Sequence, residues 1–159
     1  MRHVRLITTA IALSVAAAGL SSINAAEQQL NPKAITIKLP DQIPWKRNPA
    51  GTNETAVLYG DPEKPGPYVL MFKWLPGNMS QPHWHPNDRM ITVLKGTWWV
   101  GTGDKFDRDS TVPLPAGSYV THFAKEIHYD GAKNEEAWLL MAGDGPATST
   151  PASTPPPPH

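Results

Sequence analysis

The chain has 159 residues, with 14 basic and 14 acidic side chains and no cysteine. Without cysteine there are no disulfides, thiol nucleophiles, thiolate zinc sites or iron–sulfur clusters, so any metal must be held by nitrogen and oxygen. The charge is balanced and no basic cluster is present, which argues against a nucleic-acid partner.

The first 25 residues have the pattern of a secretory signal peptide. Arg2 and Arg5 precede an apolar run from about Leu6 to Leu20, and Ala25 ends a plausible cleavage tripeptide. We therefore expect a periplasmic or secreted protein that has no membrane attachment after cleavage. The alternative is an uncleaved membrane anchor, which the short, alanine-rich run disfavours.

Residues 30–145 are expected to form a single all-β domain. Short apolar or alternating runs predict strands at 34–39, 55–60, 68–75, 89–96, 97–101, 118–124 and 136–143. Turn-forming sequences separate these runs, and the best helix candidate, 103–110, is equally compatible with a loop. Many short strands at regular spacing indicate an antiparallel β-sandwich or barrel, and a jelly roll is one natural way to close it.

The C-terminal residues 146–159 are rich in Pro, Ser and Thr and contain almost no large apolar side chain. Such a segment buries too little surface to offset the entropy lost on ordering. It is therefore predicted to be a disordered tail.

Two histidines stand one residue apart in the stretch Pro82-His83-Trp84-His85-Pro86. Residues i and i+2 of a strand point to the same face, so both imidazoles aim one way. The two prolines stiffen the backbone around them. The pair suits half of a metal site for zinc, iron, manganese, nickel or copper.

A third imidazole, His128, follows the predicted strand at 118–124. In an antiparallel barrel this residue can return beside the strand that carries His83. His122 lies within the predicted strand at 118–124. It is expected either to contact the ligands of the site or simply to be packed or solvated.

The spacing around the histidine pair resembles the first motif of the cupin superfamily. That motif runs Gly, five residues, His-x-His, three or four residues, Glu, six residues, Gly. Gly77, His83, His85 and Gly96 stand at its glycines and histidines. The resemblance extends over roughly residues 60–143 and implies a small cupin, type-2-like, of jelly-roll form.

A second stretch resembles the second cupin motif, which runs Gly, five residues, Pro-x-Gly, two residues, His. Gly117 matches its opening glycine and His128 its histidine. Phe123 replaces the usual proline and Lys125 the usual glycine. The resemblance implies that His83, His85 and His128 bind one divalent transition metal.

One departure from the cupin pattern concerns the fourth ligand. Arg89 occupies the place of the motif's glutamate, and a guanidinium stays protonated and cannot ligate a metal. Asp88 is adjacent, but strand alternation points it to the opposite face. Arg89 is expected either to hold a substrate carboxylate, as in the similar three-histidine thiol dioxygenases, or to pair with Asp88, Asp130 or Glu126.

The four tryptophans of the predicted strands are treated mainly as core residues. Trp74 and Trp138 are expected to pack in the core. Trp98 and Trp99 are adjacent on one strand, so one is expected to face inward, towards the mouth of the pocket, and the other outward.

Three functions remain open at this point. The first is a metal-dependent enzyme, such as a dioxygenase-like oxidoreductase, that acts on a small anionic molecule. The second is a non-catalytic module that binds or senses a small ligand. The third is a structural cupin with a degraded metal site, and the resemblance also allows a homodimer.

Overall fold

The computed structural model describes residues 30–158. The chain divides into two units, residues 1–38 and 39–159. In the first unit, the described part, 30–38, consists of turns and coil. The predicted signal peptide, 1–25, lies outside the described residues. Within 30–158, no helix has the length and apolar character needed to cross a membrane.

The second unit begins with a short 3-10 helix, Pro40–Gln42, and continues as strands. In chain order the strands are β1 (Lys46–Arg47), β2 (Asn53–Tyr59), β3 (Gly66–Trp74), β4 (His83–Trp84), β5 (Arg89–Lys95), β6 (Thr97–Thr102), β7 (Val112–Pro115), β8 (Tyr119–His122), β9 (His128–Gly131), β10 (Ala137–Gly145) and β11 (Thr150–Pro151). The helix candidate at 103–110 is a loop.

All strand pairs are antiparallel, and they form two sheets. One has six strands in the order β1-β2-β3-β10-β5-β8, and the other has five in the order β11-β4-β9-β6-β7. The prediction of an all-β antiparallel jelly roll is confirmed.

The hydrophobic core draws side chains from both sheets. Ile91 and Val93 of β5 and Leu139 of β10 pack with Trp98 of β6, and each is at most 1% exposed. Alternation along each strand explains the pattern, because every second residue faces inward. Burying each large aliphatic side chain contributes roughly 1.5–3 kcal/mol. This core fixes β5 and β6, which lie beside the strands that carry the histidines.

The tryptophans divide between the core and the outside of the sheets. Trp74 is in the core, as predicted. Trp98 faces inward, whereas Trp99 is half-buried and lies under Lys133, whose Nζ is 3.8 Å from the ring centroid. The prediction for Trp138 is wrong. It is half-buried, because it alternates with the inward-facing Leu139 of β10.

The predicted strand at 34–39 is also wrong. These residues form turn and coil, and Ile35 and Ile37 are 51% and 40% exposed. Alternation alone does not make a strand, because a strand also needs a neighbour that supplies ladder hydrogen bonds.

The C-terminal segment differs from the predicted disordered tail. Thr150 and Pro151 form β11 and pair with Trp84 and His83 of β4. The Trp84 indole donates to the carbonyl oxygen of Thr154 at 2.8 Å. Ordering this segment costs conformational entropy, and its small side chains bury too little surface to offset that cost. Backbone and indole hydrogen bonds offset it instead.

Two turns explain features of the motif spacing. Gly96 joins β5 to β6 with a φ of 71°, and a Cβ there would overlap the Glu136 carbonyl oxygen. Lys125 has a φ of 67°, a left-handed conformation that glycine adopts most easily. Its backbone N–H donates to the carbonyl oxygen of His85 at 2.7 Å. The turn at the usual glycine position is therefore kept although the glycine is absent.

Candidate metal centre

His83, His85 and His128 come together through strand pairing. His83 on β4 lies directly opposite His128 on β9, and His85 follows β4 closely in the chain. One ligand nitrogen from each histidine lies within 4.8 Å of the other two. The ring centroids of His83 and His128 are 4.6 Å apart, and those of His83 and His85 are 4.7 Å apart. The fold thus gathers three imidazoles that are distant in the sequence.

A backbone carbonyl orients each of the three rings. The Nδ1–oxygen pairs are His83 with Gln81 at 2.8 Å, His85 with Thr148 at 2.8 Å, and His128 with Glu126 at 3.0 Å. A carbonyl only accepts, so each Nδ1 carries the proton and each Nε2 keeps its lone pair. Histidine metal ligands are usually anchored in this way. The donor set therefore fits a divalent transition metal.

Arg89 lies against this cluster and contacts its second histidine. Its Nη1 is 3.0 Å from His85 Nε2, and its Nη2 donates to the Thr148 carbonyl oxygen at 3.1 Å. A guanidinium has only donors, so Nη1 takes the lone pair with which His85 would bind a metal. Coordination by all three histidines therefore requires Arg89 to release His85.

Asp88 does not replace the missing glutamate in this structure. Its side chain is exposed, and its Oδ1 accepts a hydrogen bond from the Ala124 backbone N–H at 2.6 Å. Strand β5 begins at Arg89. The carboxylate of Asp88 instead stabilises the loop that leads to β9.

A second group of buried polar side chains shares His128 with the first group. His122, His128 and Asp130 each place a ligand atom within 4.8 Å of the other two, and all three are buried. Oδ1 of Asp130 accepts hydrogen bonds from the indoles of Trp74 at 2.8 Å and Trp98 at 3.0 Å. Sequence reasoning missed this role of Asp130. Its i, i+2 spacing from His128 was the available signal, because it puts both side chains on one face.

The cluster opens into a pocket of about 480 Å³, which suits a small molecule. The polar lining includes His83, His85, Arg89, His122 and Asp130. The apolar lining includes Phe72, Trp74, Ile91, Trp98, Leu139 and Met141. The C-terminal segment contributes Ala147, Ser149 and Pro151 to the wall, although its composition predicts disorder.

Burial keeps the inner histidines neutral. It lowers the pKa of His85 to about 2, with the nearby Arg89 charge acting in the same direction. Burial and then the neighbouring His128 lower the pKa of His122 to about 4. The pKa of His128 is also lowered, chiefly by burial. Neutral imidazoles are the form that binds metals.

The metal-free protein should become less stable below about pH 6.5. Because these histidines have lower pKa values folded than unfolded, the unfolded chain binds more protons as the pH falls. Each histidine then costs up to about 1.4 kcal/mol per pH unit. The loss from His122 levels off near pH 4, and that from His85 near pH 2. Urea titrations with a chelator at pH 7.5, 6.5 and 5.5 measure it.

A free energy of unfolding that stays constant between pH 7.5 and 5.5 would contradict this expectation. The window lies above the range in which ordinary carboxyl groups titrate, so the histidines dominate the change. The variant His122→Leu serves as the matched control, because it should show a smaller pH dependence than the natural chain.

Comparison with known proteins identifies the family of the chain. The family described as the ChrR cupin-like domain matches residues 33–148. The chain belongs to this cupin family. A search of curated proteins gives no significant match.

Solved structures with the cupin fold are similar to this cupin at low sequence identity. The polyketide cyclase RemF from Streptomyces resistomycificus has a TM-score of 0.61 at 15% identity, covering 74% of this chain and 84% of its own. KdgF from Halomonas sp. has a TM-score of 0.55 at 14% identity, covering 69% and 94%. A cupin-2 domain from Rhodospirillum rubrum has a TM-score of 0.54 at 15% identity, covering 77% and 80%. These similarities concern the fold.

Proposed function

We propose that this cupin binds one divalent transition metal through His83, His85 and His128 and acts on a small anionic molecule in the adjoining pocket. The observation that carries the proposal is the common orientation of the three rings. Each Nδ1 is bound to a backbone carbonyl, so Nε2 is the atom that each ring offers to a metal, and His85 offers it once Arg89 releases it. When bound, the metal would supply Lewis-acid or redox chemistry, depending on its identity.

Arg89 gives the pocket its preference for anions. Its guanidinium lines the pocket, and its donors suit a carboxylate. Once His85 binds a metal, Nη1 loses its partner and becomes available to a ligand. The apolar walls exclude water and strengthen this charge interaction. The fold neighbour RemF is a polyketide cyclase, so this fold is compatible with an enzymatic role. The dioxygenase-like form of that role rests on the resemblance to three-histidine thiol dioxygenases.

The contact between Arg89 and His85 favours a second candidate function. With Nη1 on His85 Nε2, the pocket holds a fixed cation without any metal. Such a pocket would capture small carboxylates as a non-catalytic binding module. Carboxylate binding by chelator-treated protein supports this candidate, whereas turnover or oxygen uptake that appears only after metal addition supports the enzyme.

Metal binding tests the proposal directly. His83→Ala and His128→Ala should each weaken Zn²⁺ affinity by at least roughly 100-fold, because each removes one of three ligands. His159→Ala is the matched control, since it removes a histidine from the end of the chain. Isothermal titration against a competing chelator gives the dissociation constants. If the first two variants bind Zn²⁺ as tightly as the control, the proposed site is wrong.

We also propose that the protein is exported after cleavage following Ala25. The basic start, the apolar run and the small residues before the cut support this placement. N-terminal sequencing of the protein recovered from its native compartment should give Ala26 as the first residue. Recovery of the intact chain from the membrane fraction would contradict it and support the anchor instead.

A further inference from the structure

His122 stands beside the place where the cupin motif has its glutamate. Strands β5 and β8 are antiparallel neighbours, and Arg89 pairs directly with His122 in their register. Both side chains line the same pocket. The position that lost its carboxylate is therefore next to a residue that carries an imidazole.

The ring of His122 is buried and directed towards the histidine cluster. Its centroid is 3.8 Å from that of His128, and its ring lies nearly parallel to that of His85 with the centroids 6.5 Å apart. One of its ligand atoms lies within 4.8 Å of a ligand atom of His128. His122 and His128 are therefore close enough to contact one shared ion, and His128 also belongs to the group formed with His83 and His85.

Two nitrogen atoms at this point lack partners among residues 30–158. Nε2 of His122 and Nε2 of His128 are both buried without a hydrogen bond, and the two residues are only 7% and 4% exposed. A buried polar atom without a partner costs about 1–3 kcal/mol. Because Nδ1 of His128 donates to Glu126 O, its Nε2 has a lone pair to offer. A shared cation would satisfy both nitrogens.

We propose that His122 is a fourth metal ligand, supplied by β8 in place of the carboxylate that the cupin motif has at the position of Arg89. The inference rests on the proposed metal site and extends it. Four neutral imidazoles suit borderline ions such as Cu²⁺ and Zn²⁺ better than Mn²⁺ or Mg²⁺, which favour oxygen ligands. A balancing negative charge comes from Asp130, which places a carboxylate oxygen within 4.8 Å of ligand atoms of His122 and His128 and whose Oδ1 is held by two indoles.

The alternative role for His122 is packing alone. Its ring lies 5.3 Å from that of Trp98, and an apolar side chain of similar size would serve that purpose equally well. The two roles predict different metal chemistry. A packing residue changes neither the affinity for an ion nor the number of nitrogens around it, whereas a ligand changes both.

The test uses the full mature chain loaded with one equivalent of Cu²⁺. Pulsed electron paramagnetic resonance counts the imidazoles coupled to the ion, and chelator competition gives the dissociation constant. We expect four imidazoles in the natural chain and three in His122→Leu, with affinity for Cu²⁺ reduced at least tenfold. Tyr119→Leu, an exposed residue on the same strand, is the matched control and should change neither value.

A natural chain with only three coupled imidazoles overturns the inference even if His122→Leu fails to fold. An unchanged affinity and count in a folded His122→Leu overturn it as well. If His83→Ala and His128→Ala still lose binding in those cases, the three-histidine proposal stands and only the role of His122 is withdrawn. If they keep full affinity, the proposed function itself fails.

Discussion

Replacing Arg89 by glutamate should raise the affinity of the site for Zn²⁺ by roughly 100-fold or more, since a charged hydrogen bond is worth about 1.5–3 kcal/mol and 1.4 kcal/mol is a factor of ten. Arg89 now donates to His85 Nε2 at 3.0 Å and adds a positive charge beside the site. Glutamate removes both effects and restores the usual cupin ligand. Chelator competition at pH 7.5 measures the change.

Two further variants separate the contributions to this gain. Arg89→Met removes the guanidinium without adding a ligand, so its affinity for Zn²⁺ should rise by only roughly tenfold. Lys46→Glu makes the same charge change on the exposed strand β1 and should leave the affinity unchanged. If Arg89→Glu binds Zn²⁺ no better than the natural chain, His85 is not a ligand that Arg89 blocks.

The same variants test the role of Arg89 in anion binding. Metal-loaded Arg89→Met should lose binding of small mono- and dicarboxylates, because the bidentate donor is gone. The two readouts move in opposite directions, with metal affinity rising and carboxylate affinity falling. A general disruption of the pocket would lower both. Equal carboxylate affinity in the natural chain and Arg89→Met would remove Arg89 from the anion site.

The sequence predicted the scaffold of the site better than its internal contacts. The spacing of Gly77, His83 and Gly96 resembles the first cupin motif, and that resemblance implied a jelly roll with a histidine pair. Strand alternation explains why both rings of the pair share one face. His128 could be placed beside His83 because antiparallel strands return. In the structure, β4 pairs with β9 and places His83 directly opposite His128.

The direction of the Arg89 side chain could not be read from the sequence. It depends on Thr148, whose carbonyl oxygen accepts from both Arg89 and His85. Thr148 lies in a segment whose composition predicts disorder. Backbone groups of such a segment can form hydrogen bonds whatever its side chains are, so composition gave no signal for this contact. The reverse error at 34–39 arose because alternation was present but ladder partners were not.

Asp130→Ala should destabilise the metal-free protein by about 2–6 kcal/mol, because it leaves two buried indole N–H groups without an acceptor, at about 1–3 kcal/mol each. Trp74 and Trp98 both donate to the same oxygen, Oδ1 of Asp130, and all three residues are buried. This loss is a large part of the roughly 5–15 kcal/mol that stabilises a typical domain. Urea unfolding followed by circular dichroism measures it.

Asp130→Asn isolates the hydrogen bonds from the charge. The amide oxygen can accept from both indoles in the same geometry, so this variant should lose less than about 1 kcal/mol. Asp104→Ala, which removes an exposed loop carboxylate, should stay within about 0.5 kcal/mol of the natural chain. Equal losses in Asp130→Ala and Asp130→Asn would mean that the negative charge, and not the pair of indole hydrogen bonds, holds β9 against β3 and β6. In that case Asp130 would act on the site through its negative charge. Because the carboxylate is buried, added salt should weaken its effect on metal affinity only slightly.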